Sequence, residues 1–348
     1  MPERISYGWR MTLMGALMHF LVDGLCLCCL WLMANRQNLI GAESMGMFVN
    51  YNVLAFLTQP LTGAWADRMK QKHWMLLGAV VLLTMAVMCA SLSEAAFCSP
   101  HSSLGDKVAR MAVATLLGLG NSLFHVWGGK QTAIGTGNDI RALGVFVSTG
   151  VMGLTLGGLF CSWGLLYAFL LILCMLAVRA PQLQKVESLH DVLEQKTDNG
   201  QVTNVASAFS LWGLGGVAIG VLMVLVMLRS YIGESFSGDL EKNDLMILLI
   251  GGSAMLGKMA GGWLVKAMGM LRAMVTVLLV VLVCLFGRSG GLAIVMAGIF
   301  AVNCTMPATL YLANVVLKGR EGLAFGLLAG ALIPGYLLAF VDGMTFDI

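Results

Sequence analysis

The residues best suited to chemistry in this sequence are ionisable side chains inside long apolar segments. His19 and Asp23 stand four residues apart in one such segment, and Asn121 and His125 stand four apart in another. This spacing places two side chains on one helix face, about 6 Å apart along the axis. Burial in hydrocarbon favours the neutral form of a carboxyl group, and histidine titrates near neutral pH. We predict Asp23 as the main proton site and the histidines as relays or substrate contacts, with structural hydrogen bonding as the alternative for each pair.

Three further polar residues in apolar segments are candidates for contact with a substrate. Gln59 directly precedes Pro60, and Asn303 also stands shortly before a proline, so both lie where a bent helix frees backbone carbonyls beside a cavity. Lys258 lies inside another apolar segment. It either faces the cavity, where it would suit an anionic substrate or pair with Asp23, or extends its ammonium group to the membrane surface.

A short basic segment, QPLTGAWADRMKQK, follows the second apolar stretch and runs from Gln59 to Lys72. Gly63 permits close packing at a helix end, and Asp67 can pair with Arg68 and with the end of a neighbouring helix. The cations place this loop in the cytoplasm under the positive-inside rule. We therefore predict a cytoplasmic gate of Gly63, Asp67, Arg68 and Lys72, whose charges cluster in one state of the protein and separate in another.

A second copy of this segment begins at Gly257 and reads GKMAGGWLVKAMGMLR. Aligning Gly262 with Gly63 places Lys266 where Asp67 stands, so the second copy keeps its glycines and its basic exit but has lost the acid. Two copies of one loop predict two homologous halves, as in transporters built from parallel repeats.

The composition is that of an integral membrane protein. Hydrophobic residues make up 58% of the chain, charged residues 11%, and the mean hydropathy is +0.85. A soluble domain carries about 25% charged residues. At about 20 residues per span, the 348 residues allow about ten to twelve helices. The net charge of +3 reflects cytoplasmic loops, and we expect no nucleic-acid partner and no cleavable signal peptide.

Apolar runs of spanning length divide the chain into helices and connecting loops. We predict an N-terminal six-helix bundle over residues 1–180, a central cytoplasmic linker over 181–206 and a C-terminal five-helix bundle over 207–348. Basic residues concentrate in the segments that are cytoplasmic if the N-terminus is inside. The protein should therefore be a multi-pass protein of the cell membrane, the inner membrane if it is bacterial. The predicted spans are about Met11–Met33, Gly46–Trp65, Trp74–Phe97, Val108–Gly128, Ala142–Cys161, Trp163–Val178, Phe209–Leu228, Leu245–Val265, Arg272–Phe286, Leu292–Leu317 and Leu323–Val341.

Four stretches resemble major facilitator transporters, and within them the fosmidomycin-resistance type. They are HFLVD in the first predicted helix, QPLTGAWADR, GLGNSLFH in the fourth, and FVSTGVMGLTLGG in the fifth. The similarity covers most of the first half and is loose in the second. Members of that type follow the histidine of the fourth helix with Pro-Glu, whereas Val126 and Trp127 follow His125 here. The same helix ends near Lys130, whose ammonium group we expect to extend to the membrane boundary.

The resemblance implies an all-α polytopic membrane protein with a major-facilitator-like two-bundle fold and alternating access, and the apolar runs predict about eleven transmembrane helices. We expect a monomeric secondary transporter whose partners are protons, a small-molecule substrate and the lipid bilayer, and whose activity is proton-coupled export. Import of a small organic anion is the alternative, and a transporter-derived membrane sensor or assembly protein is a third. The sequence holds no nucleophile elbow, phosphate loop or zinc-spaced histidine pair, so we expect no enzyme activity, cofactor or bound metal.

Overall fold

The structure, a computed structural model, describes residues 2–36, 42–69, 73–96, 104–197, 213–238, 240–241 and 243–341. All regular elements in these ranges are helices, as the apolar runs predict. The α-helices are α1 (Pro2–Arg36), α2 (Ala42–Asn52), α3 (Gln59–Arg68), α4 (His73–Ala96), α5 (Leu104–Gly135), α6 (Ile140–Leu159), α7 (Trp163–Thr197), α8 (Leu214–Ser237), α9 (Asp244–Met268), α10 (Met270–Phe286), α11 (Leu292–Asn303), α12 (Met306–Val316), α13 (Glu321–Gly330) and α14 (Leu332–Val341).

The helices account for the spans expected from the sequence. In the part of the chain that the structure describes, nine helical segments are long and apolar enough to cross a membrane, and α10 is a shorter apolar helix. Two of the nine are formed by consecutive helices, α11 with α12 and α13 with α14. The remaining predicted span corresponds to α2 and α3 together. The prediction of an all-helical polytopic membrane protein is therefore confirmed.

A proline explains why the second predicted span is divided. Pro60 occupies the first turn of α3, where its missing N–H leaves no helical bond unmade, and the π-helix Val53–Leu57 precedes it. The side chain of Gln59 donates from Nε2 to the carbonyl of Ala55 at 2.7 Å, which satisfies an acceptor near the break. The break therefore places Gln59 inside the protein, where it is fully buried.

Helix α7, which corresponds to the sixth predicted span, is longer than predicted. It begins at Trp163, as predicted, and continues to Thr197. The first part of the predicted linker over 181–206 is thus helical backbone continuous with the membrane span. The rest of that linker, residues 198–206, lies outside the described residues.

Large side chains fill the interior beside α1, α5 and α6. Phe124, Trp127 and Phe146 are among the largest fully buried residues, and the rings of Phe124 and Trp127 lie 6.0 Å apart. The ring of His19 lies 4.9 Å from that of Phe146. This packing holds one face of α1 against α5 and α6, which is the face that carries the polar pair predicted from the sequence.

Candidate functional site

His19, Asp23 and His125 meet between α1 and α5. Nε2 of His19 lies 3.2 Å from Oδ2 of Asp23, and Nε2 of His125 lies 3.2 Å from Oδ1 of Asp23. The two Nε2 atoms are 2.7 Å apart. Each of the three residues is only 6% exposed. The helical spacing of His19 and Asp23 thus places them on one face, as predicted, and α5 brings in the third side chain. We call these three residues the His–Asp–His cluster.

The hydrogen bonds of His19 restrict where the protons of the cluster lie. Its Nδ1 is 2.8 Å from the carbonyl oxygen of Phe146, which can only accept, so this nitrogen carries a proton. In a neutral imidazole Nε2 is then an acceptor. It lies 3.2 Å from Oδ2 of Asp23 and 2.7 Å from Nε2 of His125, and these atoms repel one another unless a proton lies among them. The geometry therefore fits a state in which the three side chains share a proton.

Asn121 and Gln59, both predicted site residues, hold the cluster in position. Asn121 donates from Nδ2 to Oδ1 of Asp23 at 2.9 Å. Nε2 of Gln59 lies 3.4 Å from Nδ1 of His125, and an amide donor at that position leaves Nε2 of His125 to carry the proton. Oδ1 of Asn121 and Oε1 of Gln59 have no hydrogen-bond partner within the described ranges. These two buried acceptors are available to a bound molecule or water.

Gly150 on α6 forms a wall of the cluster and was not singled out in the sequence analysis. A Cβ atom at this position would lie 2.3 Å from both Oδ2 of Asp23 and Nε2 of His19. Any side chain here would therefore displace one of the two atoms. The glycine-rich sequence of α6 was a signal of close packing, but it does not show which of its glycines faces α1.

We expect Gly150→Ala to lower proton-driven transport by about tenfold to a hundredfold, because the added methyl group displaces atoms of the predicted proton site. Gly252→Ala on α9 is the matched control, since a Cβ atom there has no neighbour within 4 Å. Flux into proteoliposomes measures both variants. Equal activity of the two would contradict the role assigned to Gly150.

A cavity of about 140 Å³ lies beside the cluster. His19, Asp23 and His125 line one side, and Arg229 and Lys258 line the other. A second cavity of about 220 Å³ also contains Arg229 and Lys258 in its wall, together with the predicted site residue Asn303. The two cations therefore stand where the two cavities adjoin. The first cavity lies between helices of both halves of the chain, whereas the second is lined by helices of the second half.

Lys258 faces these cavities, which is one of the two orientations that its sequence position left open. The structure records no ion pair between Lys258 and Asp23 in the described part of the chain, so the predicted pairing is not formed in this state. Arg229 lies directly after the predicted span, which ended at Leu228. The structure continues α8 to Ser237, since no proline interrupts it, and Arg229 therefore lies inside the helix.

Asp67 joins α3 to the first turn of α13. Its Oδ1 accepts from the backbone N–H of Gly322 at 3.0 Å, and its Oδ2 accepts from that of Leu323 at 2.8 Å. Nζ of Lys130 lies 2.8 Å from Oδ1. A carboxylate at a helix N-terminus satisfies free N–H groups and the positive end of the helix dipole. Because α3 and α13 belong to different halves, Asp67 connects the halves at the end predicted to be cytoplasmic.

The structure does not pair Arg68 with Asp67 in this gate, which corrects the prediction. Arg68 is exposed, and Asp67 pairs with Lys130, which is 7% exposed and also donates to the carbonyl of Ala66 at 2.9 Å. Lys130 thus does not extend to the membrane boundary. Neighbouring residues on a helix point in different directions, so Arg68 cannot follow Asp67 into the interface. A Cβ atom on Gly63 would lie 2.2 Å from the carbonyl oxygen of Gly322, which is the close packing that was predicted. The remaining predicted member, Lys72, lies outside the described residues.

At the second copy of the loop the charges are reversed: the loop carries the basic residue, and the start of a helix in the other half carries the acid. Asp139 caps α6: its Oδ1 accepts from the backbone N–H of Arg141 at 2.9 Å, and its Oδ2 lies 2.6 Å from Nη2 of Arg141. Burial raises the pKa of Asp139, but the hydrogen bonds and charge of Arg141, with a contribution from the charge of Lys266, hold it below its usual value. The acid therefore lies on α6, in the first half, and the basic residue Lys266 lies on α9, in the second half.

We expect Lys266→Asp to make the amides in the first turn of α6 exchange about twofold to fivefold faster, because it places a second carboxylate near Asp139 while Lys266 itself is exposed. The effect should be smaller than that of Asp67→Asn. Hydrogen exchange in the first turn of α6 measures it. Lys266→Asp should also lower transport, and adding Asp139→Asn should restore it. A double variant as impaired as Lys266→Asp would contradict the reversed-charge arrangement.

The comparisons with known proteins support the fold. No family model and no curated protein matches the chain. A crystal structure of a bacterial homologue of the iron transporter ferroportin, in an outward-facing state, has a TM-score of 0.61 and 16% identity and covers 97% of this chain and 91% of that one. A structure of such a homologue with soaked iron has a TM-score of 0.60 and 16% identity and covers 96% and 91%. The chain thus has the major-facilitator-like fold that was predicted, and its resemblance to the fosmidomycin-resistance type stays a prediction.

Proposed function

We propose that the protein is a secondary transporter that couples the movement of a small molecule to that of a proton. The observation that carries this proposal is the close contact of Nε2 of His19, Nε2 of His125 and the carboxylate of Asp23, at 2.7 Å and 3.2 Å, which requires a shared proton. The contact forms part of the wall of a central cavity. A group that gains and loses a proton beside a substrate cavity is what coupling requires.

Protonation of the cluster changes the attraction between the two halves. When Asp23 and His19 share a proton, the cluster is held together within the first half. When the proton leaves, the carboxylate of Asp23 is repelled by Nε2 of His19 and attracted by Arg229 and Lys258 across the cavity. The equilibrium between an open and a closed cavity therefore depends on the proton.

The contact of Asp67 with α13 supplies the second conformational element. This contact links the two halves at the end that the basic loops predict to be cytoplasmic, and in our proposal it keeps that end closed. Opening that end requires Asp67 to release two backbone N–H groups and Lys130. Alternating access then consists of exchange between this closed state and one in which the contact is broken.

We propose that the direction is export, in exchange for protons, with the N-terminus in the cytoplasm. Proteoliposomes containing a trapped pH-sensitive dye test the coupling. Adding substrate candidates should move protons across the membrane, and an imposed pH gradient should drive their accumulation until a protonophore is added. The sign of the proton movement separates export from import of an anion. A protein that binds ligands without any flux would be the sensor or assembly protein considered above.

Transport of a divalent metal ion is the second candidate function. The His–Asp–His cluster is a group of potential ligands whose donor atoms lie within 4.8 Å of one another, and the structural neighbours are homologues of an iron transporter. Imidazole and carboxylate ligands suit transition metals. The charges of Arg229 and Lys258 in the same cavity disfavour a divalent cation, so we place this candidate second. Titration with Mn²⁺ or Co²⁺ tests it, and binding that is lost in His125→Gln would favour it.

A further inference from the structure

Arg229 and Lys258 are two cations in the cavity wall without a carboxylate partner among the described residues. Arg229 makes one hydrogen bond there, from Nη1 to the hydroxyl of Thr309 at 3.5 Å, and Lys258 makes none. No ion pair within those ranges includes either residue. Charges inside a membrane protein are costly unless they are balanced. Glu234 lines the second cavity together with both cations, but among the described residues the structure records no ion pair between it and either of them, so the pair indicates a site for a further negative charge.

Asp23, the carboxylate that lines the first cavity together with both cations, already has other partners. Its two oxygens contact His19, His125 and Asn121, on α1 and α5. The cations stand on α8 and α9, in the other half, and face it across the cavity. A bound anion between the halves would contact both cations and would also lie beside the cluster.

The rest of the wall of the first cavity indicates which chemical group is attached to the anionic group of the ligand. Its wall is mostly apolar and includes Phe56, Val151, Leu154, Phe325 and Leu328. The cavity is small compared with the roughly 300–1,000 Å³ of sites for drug-sized ligands. A compact apolar group fits this surface, whereas an inorganic anion alone would leave it without a partner.

We propose that Arg229 and Lys258 bind the carboxylate of a small organic acid whose apolar body occupies the first cavity. The planar guanidinium of Arg229 can bind a carboxylate through two N–H groups, and the ammonium of Lys258 adds a third donor. This inference rests on the proposed function for the transport of the acid, and it deepens that function by naming the substrate class.

Binding of benzoate to the detergent-solubilised protein tests the inference without any proton gradient. Benzoate should raise the melting temperature in a concentration-dependent manner, acetate should do so less, and the neutral benzamide should not. Lys258→Gln and Arg229→Gln should each weaken benzoate binding by at least tenfold. Lys318→Gln and Arg272→Gln, which replace exposed cations, are the matched controls and should bind as the original protein does.

A second readout separates a ligand site from a structural role. Removing an unbalanced internal charge should raise the melting temperature of the unliganded protein, whereas removing a structural contact should lower it. The inference is overturned if benzamide stabilises as well as benzoate, if benzoate gives no stabilisation, or if both variants keep their affinity. Benzoate binding without proton movement in proteoliposomes would instead overturn the proposed coupling and leave the binding site standing.

Discussion

Asp23→Asn should abolish proton-driven accumulation of the substrate in proteoliposomes. The amide keeps the shape of the side chain and can still contact His125 and Asn121, but it cannot exchange a proton. Ligand binding at equilibrium should therefore stay within about tenfold, or roughly 1.4 kcal/mol, of the original protein. Accumulation against a gradient and binding in detergent are measured on the same preparation.

His19→Gln provides the comparison for this variant. It removes one of the groups that share the proton and leaves Asp23 in place, so transport should persist with a shifted pH optimum. Uphill transport by Asp23→Asn with an unchanged pH profile would show that Asp23 is structural. The coupling would then have to be sought outside the His–Asp–His cluster.

Asp67→Asn should open the predicted cytoplasmic end and sharply reduce transport. An amide oxygen can accept from one N–H of α13 but leaves Lys130, which is 7% exposed, without its counter-charge. Hydrogen bonds to a charged group contribute about 1.5–3 kcal/mol, so the amides of Gly322 and Leu323 should exchange roughly ten- to a hundredfold faster. Hydrogen exchange by mass spectrometry measures this directly.

Arg68→Gln is the matched control for the gate, because Arg68 is adjacent in sequence and exposed. It should leave both exchange and transport near those of the original protein. If the two variants change exchange in α13 to the same extent, the effect comes from the charge of the loop and not from the contact that Asp67 makes. The gate assignment would then be wrong.

Features that depend on a single helix were predictable from the sequence. Apolar runs of spanning length predicted the helices, and the spacing of His19 and Asp23 predicted their shared face. Gln59 was predicted from its place before a proline, and the structure shows its amide beside His125. Each of these predictions needs only local geometry.

Contacts between distant helices could not be predicted in the same way. Lys130 contacts Asp67 although the two residues stand 63 positions apart in the sequence (130 minus 67). Nothing near either residue identifies the other as its partner. Gly150 matters because it faces α1, which depends on how α1 and α6 pack. Arg229 was missed because its helix extends past the apolar run that defined the span. In each case the decisive fact is tertiary packing.

Infrared difference spectroscopy of the purified protein during a pH titration is the most direct test of the central claim, that His19 and Asp23 share an exchangeable proton. The carbonyl band of a protonated carboxyl group and the ring bands of histidine report the two partners separately. We predict a carboxyl band that changes together with the histidine bands and is absent in Asp23→Asn. The same band with the same pH profile in Asp23→Asn would contradict the claim.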